Sequence, residues 1–585
     1  MRTQTKTFLI AISIAMGTAL GVHIVYALLT YCAKERAYKI GKEYTHELRP
    51  ERGRIVDIAG NVMAKTDTVY DVHFDPMVWG ESHRDTTEWE SKLRDLASCL
   101  ADSYPERDAI DWFKYIKEGH DRGRRYLSIA KSLSKERVDT IKSFPLFNLP
   151  SYRGGLIIEP RYVRKYPFGS MARRTVGYMN GDSLKIGLEK SYDQFLSGHP
   201  GHETIRYGRY EGEDIQKIKK FMPAQNGMNI QTTLSMNVSS IADSILRTTI
   251  QTHNDVEAGC FVLMNVKTGA IHVMTNLTKT EDGIFELNNY AISRTYEPGS
   301  LAQAMTFAAL LSDGHLHSLH DTIPTNHGMI PNLNQDAHIV DYERSYSAKS
   351  IAIREGFAIS SRYVPAYLAQ KFYSQKPEEF IDHLLKYCPE IDFDLYGLSR
   401  NRIPTPKSQL WTNNTLPVLS YGYSMSVSPL LILTFYSSIA NKGRMMKPYL
   451  VEQISKYDGK VIATRGPSIM GQVMPEHVAD SLSEALKYVT KEGPGRTSKH
   501  WNQMIVGKSG ISLLPIAEGA EDDIDVYHDR EGLRKYAASY VGYFPQENPE
   551  YSAICVLFSE KTKQSFYAGS LPAIMVRDFV NRLVK

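Results

Sequence analysis

The stretch RTYEPGSLAQAMTFAALL, from Arg294 to Leu311, places a serine between a Pro-Gly turn and an apolar run. The run after Ser300 predicts a buried helix that begins at this serine. Gln303 lies three residues further on, so the helix would put both side chains on one face. A serine hydroxyl needs a base within hydrogen-bonding reach to act as a nucleophile, and a glutamine amide cannot take a proton. The stretch therefore predicts a serine site without its base, and we expect Ser300 to serve only as the N-cap of the helix.

The segments around this stretch predict an antiparallel sheet with helices on both faces. Upstream, AGCFVLMNVKTGAIHVMT (Ala258 to Thr275) contains two β-rich runs that Lys267-Thr268-Gly269 separates, which is the pattern of a hairpin. Downstream, after a long and mostly helical middle, QMIVGKSGIS, YAASYVGYF and YSAICVLF are three short strand-like runs. A hairpin first, helices between and strands last indicate an α+β fold in which helices sandwich the sheet.

The residues before the hairpin predict a second α+β module and a boundary. RPERGRIVDIAGNVMAKT (Arg49 to Thr66) has apolar alternation broken by glycines, which predicts strand, turn and strand. Thr87 and Glu90 have the spacing of a capping box ahead of an amphipathic helix. Pro, Gly and polar residues cluster in FMPAQNGMNIQTTL (Phe221 to Leu234), where we expect a domain boundary. The apolar positions expected to be buried on that helix are Trp89, Leu93, Leu96 and Leu100.

The N-terminal segment FLIAISIAMGTALGVHIVYALL (Phe8 to Leu29) contains no charged residue, and its 22 residues are enough to cross the ~30 Å hydrocarbon layer of a membrane. It is too long for a cleaved signal peptide, and Tyr31 before Cys32 is too bulky for a lipoprotein signal. We expect one retained anchor, with the bulk of the chain outside the cytoplasm because long domains translocate largely regardless of flanking charge. The predicted segments are a short cytoplasmic tail (1–7), the anchor (8–29), a membrane-proximal domain (30–225) and a C-terminal domain (226–585).

Composition excludes several classes of function. The 585 residues include 69 basic and 65 acidic ones, a net charge of +4, so no large basic excess marks a nucleic-acid-binding protein. The five cysteines are scattered singly, without the CxxC pairs of a zinc site or the pattern of a disulfide framework. Gly507-Lys508-Ser509 matches the end of a phosphate-binding loop, but Asn502 occupies the position of that motif's first glycine. We predict no cofactor, no metal and no nucleic-acid partner.

Segments spread over nearly the whole chain match, in order, the motifs of one family. They are RGRIVDIAGNVMA (Arg52 to Ala64), YPFGSMARRTVGYMNGDSLKIGLEKSYDQFLSGHPG (Tyr166 to Gly201), YEPGS with the following Thr306, GYSMSVSPLLILTFYSSIANKGRMMKP (Gly422 to Pro448) and YVGYFPQENP (Tyr540 to Pro549). These segments resemble the class B penicillin-binding proteins, the membrane-anchored monofunctional transpeptidases of bacterial wall synthesis. The resemblance implies an elongated, dimerisation-like pedestal at 30–225 and a penicillin-binding, β-lactamase-like transpeptidase domain at 226–585.

The resemblance assigns the chemistry to three motifs, Ser-x-x-Lys, Ser-Asp-Asn and Lys-Thr-Gly. Ser300 matches the nucleophile of the first motif, and Gln303 stands where its lysine base belongs. The second motif aligns as Ser360-Ser361-Arg362, so arginine replaces the asparagine. The third is Lys508-Ser509-Gly510, a mild variant because serine keeps the hydroxyl group of threonine. By resemblance, the catalytic set is Ser300, Ser360 and Lys508, and the substrate-binding set is Lys508, Ser509, Gly510 and Ser512.

Two changed motifs in one site predict impaired chemistry. A positioned base is typically worth ~10²–10⁴-fold in rate, so its loss removes several kcal/mol of transition-state stabilisation. We predict a scaffold or allosteric partner in wall synthesis, and the resemblance implies contacts with peptidoglycan stem peptides, a membrane-embedded glycan polymerase and division or elongation proteins. One alternative is an active transpeptidase or carboxypeptidase, in which Arg362 lowers the pKa of Lys508 and Lys508 becomes the base for Ser300. A third is a module that binds stem peptides or β-lactams without acylation, holding their carboxylate with Lys508.

Overall fold

The computed structural model describes most of the chain, and the described residues form two compact units. The first unit comprises Met1–Gly53, Gln194–Met228 and Lys456–Asp458, and the second comprises Arg54–Asp193, Asn229–Ser455 and Gly459–Lys585. The division into domains at 30–225 and 226–585 stays a prediction. The described residues are 2–40, 42–78, 86–181, 184–210, 213–330, 349–409, 411–492, 505–515, 527, 532–562 and 570–584.

Helices dominate the middle of the chain, and long strands lie on either side of it. The helices are α1 (Arg2–Ile40), α2 (Thr86–Ser103), α3 (Ala109–Asp121), α4 (Lys135–Ile141), α5 (Ser151–Gly154), α6 (Arg173–Val176), α7 (Gly187–Ser191), α8 (Asp193–Leu196), α9 (Met236–Thr252), α10 (Tyr290–Ser293), α11 (Gln303–Ser312), α12 (Ile353–Ala358), α13 (Tyr363–Tyr373), α14 (Pro377–Tyr387), α15 (Thr415–Ser420), α16 (Pro429–Ala440), α17 (Glu476–Glu492) and α18 (Leu571–Val584). Two 3₁₀ helices span Gly299–Ala302 and Asn326–Gly328.

The strands are β1 (Lys42–Leu48), β2 (Ile55–Val56), β3 (Val62–Phe74), β4 (Leu127–Leu133), β5 (Leu156–Lys165), β6 (Met179–Asn180), β7 (Leu184–Lys185), β8 (Gly201–Tyr210), β9 (Glu213–Met222), β10 (Asn229–Thr232), β11 (Val256–Asn265), β12 (Ile271–Thr280), β13 (Gly283–Phe285), β14 (Thr322–Pro324), β15 (Ser350–Ala352), β16 (Arg444–Met446), β17 (Val451–Ser455), β18 (Val461–Thr464), β19 (Ile469–Gln472), β20 (Val506–Leu514), β21 (Lys535–Phe544) and β22 (Tyr551–Ser559).

The first unit contains the N-terminal helix and a three-stranded antiparallel sheet in the order β1-β8-β9. The predicted apolar helix is present and longer than expected, since α1 runs from Arg2 to Ile40. Within the part of α1 whose side chains are described, Met16–Arg36 has the length and apolar composition of a membrane span, and none of it is buried in the protein. An exposed apolar helix of this length is what a membrane anchor requires.

The second unit contains a seven-stranded mixed sheet in the order β18-β17-β10-β2-β3-β4, with β5 also paired to β3. The predicted strand-turn-strand is confirmed as β2 and β3, and the Asp57 carboxylate closes the turn by accepting hydrogen bonds from the N–H groups of Ala59 and Asn61. Strand β10 pairs in parallel with β2 and antiparallel with β17. Strands from both sides of residue 226 therefore share one sheet.

A helical layer packs on this sheet as the sequence predicts. The four predicted apolar positions of α2 are all buried, at 5% exposure or less, against strands β3 to β5 and helix α3. The predicted capping hydroxyl of Thr87 lies outside the described side chains. The buried positions of α2 are Trp89, Leu93, Leu96 and Leu100.

The six-stranded antiparallel sheet of the second unit has the order β13-β12-β11-β22-β21-β20. The predicted hairpin is confirmed as β11 and β12, and the Asn265 side chain accepts from the N–H groups of Lys267 and Thr268 in its turn. Helices α9 and α18 pack on the face that carries Phe261 and Leu263. Side chains alternate between faces, and the intervening positions are also buried, so the opposite face is covered as well, by α16. Helices thus sandwich the sheet as predicted.

Candidate active site

Ser300 lies in the 3₁₀ helix Gly299–Ala302, immediately before α11. Its side chain is half-buried and makes no hydrogen bond with any described residue. The expectation that Ser300 is an N-cap is wrong, because the helix starts with a tight 3₁₀ turn in which the serine hydroxyl accepts no backbone N–H. Its hydroxyl is therefore left without a structural task.

Two glycines allow the turn before Ser300 to form. The Gly299 N–H donates to the Gly422 carbonyl at 3.1 Å. Gly422 has φ +90°, and a Cβ there would lie 2.1 Å from the Gly299 carbonyl oxygen. Gly299 has φ +55°, and a Cβ there would lie 2.7 Å from the carbonyl oxygen of Ile511 in β20. Three backbone segments meet too closely for any side chain, which fixes the serine turn against β20.

Gln303 has a structural role inside the site. Its side chain is fully buried, and its Nε2 donates to the Ser361 carbonyl oxygen at 2.9 Å. Its Oε1 is buried without a hydrogen-bond partner among the described residues. The amide thus ties α11 to the second motif, but it offers no site for a proton from Ser300.

The second motif forms a tight connection between α12 and α13. Ser360 has φ +58°, and the Ser361 N–H donates to the Gly356 carbonyl at 2.8 Å. The Ser361 hydroxyl accepts from the Val364 N–H at 3.3 Å and so caps the start of α13. The guanidinium of Arg362 lies 5.8 Å from the centre of the Tyr423 ring. The three consecutive residues of this loop therefore differ in exposure. The side chains of Ser360 and Arg362 are partly exposed, and the side chain of Ser361 is buried.

Lys508 is almost completely buried, at 1% exposure, on strand β20. Its Nζ donates to the Ser360 hydroxyl and to the Ser509 carbonyl, the latter at 3.2 Å, and lies 5.6 Å from the centre of the Phe357 ring. Burial lowers the pKa of Lys508 to about 7, because desolvation disfavours the ammonium form. The alternative with Lys508 as base attributes a lowered pKa to Arg362; the direction agrees, but the cause is burial.

Strand β20 presents a free edge beside the serine turn. It pairs with β21 along one edge and is the last strand of the described sheet. The Ile511 carbonyl oxygen lies beside Gly299 of the serine turn. Peptide groups of a strand alternate between its two edges, so the peptide groups of Ser509 and Ile511 face the same edge. An extended peptide has hydrogen-bonding groups to pair with at this edge.

The hydroxyl groups of the predicted substrate-binding residues are also positioned on β20. Ser512 is 1% exposed, and the hydroxyl groups of Ser509 and Ser512 have no hydrogen-bond partner among the described residues. A Cβ at Gly510 would lie 2.9 Å from Leu301, so the strand packs directly on the serine turn. The assignment of these residues to substrate binding stays a prediction.

Sequence reasoning missed Glu297, the acid of the YEPGS segment. Its carboxylate accepts from the Ser424 N–H and from the Tyr527 hydroxyl, both at 2.8 Å. Burial raises the pKa of Glu297 to about 7. A lone acid directly before Pro-Gly is the only sequence signal for this contact, and it does not identify the partners.

The chain matches two family profiles. Residues 259–581 match "Penicillin binding protein transpeptidase domain", and residues 47–232 match "Penicillin-binding Protein dimerisation domain". The chain is 23% identical over 577 residues to the peptidoglycan D,D-transpeptidase FtsI of Buchnera aphidicola subsp. Baizongia pistaciae, covering 96% of this chain and 90% of the relative. It is 22% identical to FtsI of Escherichia coli strain K12 over 458 residues, 77% of this chain and 70% of the relative.

Solved structures share the fold. Penicillin binding protein 2X from Streptococcus thermophilus superposes with a TM-score of 0.72 at 20% identity, over 92% of this chain and 80% of that one. Penicillin binding protein 3 from Mycobacterium tuberculosis, complexed with aztreonam, gives a TM-score of 0.62 at 17% identity, over 92% and 97% of the two chains. Because the transpeptidase profile alone spans more than half of the sequence, and the dimerisation profile precedes it, the chain belongs to the class B penicillin-binding proteins.

Proposed function

We propose that this class B penicillin-binding protein is a catalytically impaired component of peptidoglycan synthesis that acts as a scaffold or allosteric partner. The observation that supports this function best is that Gln303 occupies the position of the lysine base. The Gln303 amide binds the Ser361 carbonyl, and the hydroxyl of Ser300 has no hydrogen-bond partner among the described residues. Without a base, the transition state for attack by Ser300 loses several kcal/mol of stabilisation, a factor of ~10²–10⁴ in rate.

The setting of this function follows from the relatives and from the N-terminal helix. Relatives named peptidoglycan D,D-transpeptidase support stem peptides as the ligand class. The apolar helix α1 supports a single anchor in the bacterial cytoplasmic membrane, with the bulk of the chain on the extracytoplasmic side. There the pedestal and helix would contact a membrane-embedded glycan polymerase and division or elongation proteins.

The test is whether Ser300 is acylated. Full-length protein in detergent is incubated with a fluorescent penicillin and analysed by intact-protein mass spectrometry. We expect no stoichiometric penicilloyl adduct that depends on Ser300. An adduct on the unmodified protein that disappears in Ser300→Ala would contradict the impaired function.

A second function, an active transpeptidase with Ser300 as nucleophile and Lys508 as base, has one observation in its favour. A lysine with a pKa of about 7 is partly neutral at physiological pH and so accepts protons. Against it, the described contacts of Lys508 are with Ser360, Ser509 and Phe357, and none is with Ser300. A penicilloyl adduct on Ser300 of the unmodified protein that is absent from Lys508→Met would support this alternative.

A further inference from the structure

The two serines of the site differ in what lies beside their hydroxyl groups. Ser300 has no described hydrogen-bond partner. Ser360 accepts a hydrogen bond from Lys508, a residue 148 positions away in the sequence. An amine in contact with a serine oxygen is the minimum that activation of a serine requires. Ser360 of the second motif therefore has a candidate base in contact with its hydroxyl, whereas Ser300 of the first motif has none among the described residues.

The surroundings of Lys508 suit it to act as a base. The side chain is 1% exposed and packs beside the Phe357 ring, so it lies in an environment that disfavours the ammonium ion. Burial lowers the pKa of Lys508 to about 7. A lysine desolvated in this way is one of the general routes to an active base, and serine-lysine pairs perform acyl transfer on unrelated folds.

The backbone of Ser360 is also unusual. Its φ of +58° lies in the left-handed region, which non-glycine residues rarely adopt. Backbone hydrogen bonds hold it there, from the Ser360 N–H to the Phe357 carbonyl at 3.2 Å and from the Ser361 N–H to the Gly356 carbonyl at 2.8 Å. The side chain stays partly exposed while the side chain of its neighbour Ser361 is buried. The conformation thus presents one serine of the pair to the site.

We propose that Ser360, with Lys508 as its base, is the reactive serine of this protein toward carbonyl and sulfonyl electrophiles. The inference rests on the proposed function, in which Ser300 is not activated. Ser360 Oγ attacks the carbonyl carbon while its proton passes to the neutral amine of Lys508. For an amide or β-lactam, the C–N bond then breaks, the nitrogen takes the proton from Lys508, and an ester to Ser360 remains. The reaction involves no oxidation or reduction.

Arg362 gives this site a preference for anionic substrates. It stands two residues after Ser360, where the family pattern has a neutral asparagine, and its guanidinium lies beside Tyr423. A guanidinium is a fixed cation suited to carboxylates. Acyl compounds that carry a carboxylate should therefore react faster with Ser360 than their methyl esters.

The test maps the labelled serine in the unmodified full-length protein. The protein in detergent is treated with phenylmethanesulfonyl fluoride, whose S–F bond breaks as the serine sulfonate forms and the proton goes to Lys508, and separately with a fluorescent penicillin. Tryptic peptides are then fragmented and sequenced. We expect the label at Ser360. Ser424, an exposed serine with the same φ of +58° and no described lysine contact, is the internal control and should stay unlabelled.

Variants test the role of the pair. Ser360→Ala should abolish the label, and Lys508→Met should slow labelling by about 10²-fold or more. Ser424→Ala should leave it unchanged. Label at Ser360 that persists at full rate in Lys508→Met would overturn the dyad. If neither Ser300 nor Ser360 is labelled, the inference falls and the impaired function stands, whereas a label at Ser300 overturns both. Because the position of the label is read in the unmodified protein, the outcome holds even if a variant fails to fold.

Discussion

At the scale of single residues, Lys508 shows how burial changes what a side chain does. An ordinary lysine is an ammonium ion up to about pH 10.4, but the Lys508 side chain is buried away from water beside Phe357 and Ser360. Its pKa of about 7 places the change of charge in the physiological range. Gln303 shows the opposite case, because it stays neutral at every pH and contributes only a hydrogen bond.

The lowered pKa of Lys508 predicts a pH-dependent stability. Above about pH 10.4 the amine is neutral in both the folded and the unfolded chain, so burial carries no charge penalty. As the pH falls toward 7, Lys508 is protonated in the unfolded chain but stays neutral in the folded protein. The free energy of unfolding therefore decreases until the pH falls below the pKa of Lys508 in the folded protein. At pH 7 we expect Lys508→Met to have a higher free energy of unfolding than the unmodified protein. At pH 10 this difference should be smaller, by several kcal/mol at most.

Urea unfolding at several pH values measures this difference. Lys386→Met is the matched control, because Lys386 is exposed on the last turn of α14. Parallel stability curves for the unmodified protein and Lys508→Met between pH 7 and pH 10 would contradict the prediction.

The missing base predicts a cooperative response to repair. We expect Gln303→Lys alone to recover little acylation of Ser300, because the new ammonium enters a fully buried position beside Ser361, the neighbour of Arg362 in sequence, where burial and like charge oppose it. The double change Gln303→Lys with Arg362→Asn should recover more than the sum of the single changes, since residues of one site act as a unit. Mass spectrometry of the tryptic peptide that carries Ser300, sampled over time, gives the rates. Additive single effects would argue against this coupling.

At the scale of elements, the serine turn is held by the close approach of three backbones. Gly422 and Gly397 both have left-handed φ values, +90° and +96°, but only a Cβ at Gly422 meets another atom, 2.1 Å from the Gly299 carbonyl oxygen. Both alanine variants carry the backbone strain of about 1–2 kcal/mol. We expect Gly422→Ala to lower the free energy of unfolding by at least about 2 kcal/mol more than Gly397→Ala, because the turn must move. Urea denaturation compares them, and equal losses would show that the close approach does not matter.

At the scale of the whole molecule, the seven-stranded sheet bears on the predicted domain boundary. Ile230 of β10 pairs with Ile55 of β2, and both side chains are fully buried. A chain that starts at Asn226 keeps β10 but loses β2, which leaves an open sheet edge and uncovered apolar surface. We expect this chain to unfold less cooperatively and to aggregate more than one that starts at Arg54. Thermal unfolding and size-exclusion chromatography measure both properties. Equal behaviour would support the independent C-terminal domain that the sequence predicts.

The proposed topology gives a second prediction at this scale. With α1 as the anchor, protease added to spheroplasts should digest the chain from about residue 32 onward, because the bulk would lie outside the membrane. Immunoblotting with an antibody to the C-terminal region follows the digestion, and detergent-lysed cells give the full-digestion control. Protection of the C-terminal region in intact spheroplasts would rule out this orientation.

The sequence by itself determined the local elements and the fold class. The β-rich runs on either side of Lys267-Thr268-Gly269 and the strand-like runs between Val506 and Ser559 became the strands of one antiparallel sheet. The apolar spacing of α2 gave its buried face. These patterns are readable because strand and helix periodicity depend on neighbouring residues, and ordered motifs placed the chain in its family.

Only the tertiary structure decided what the site residues touch. The contact between Lys508 and Ser360 spans 148 positions, and that between Gln303 and Ser361 spans 58. The sequence showed which residue types had changed, but it misassigned Ser300 as a cap, and the alternative that lowers the pKa of Lys508 through Arg362 named a cause other than burial. Burial and hydrogen-bond geometry arise when distant segments pack together, and they set the charge of a lysine and the partner of a hydroxyl, which no local pattern encodes.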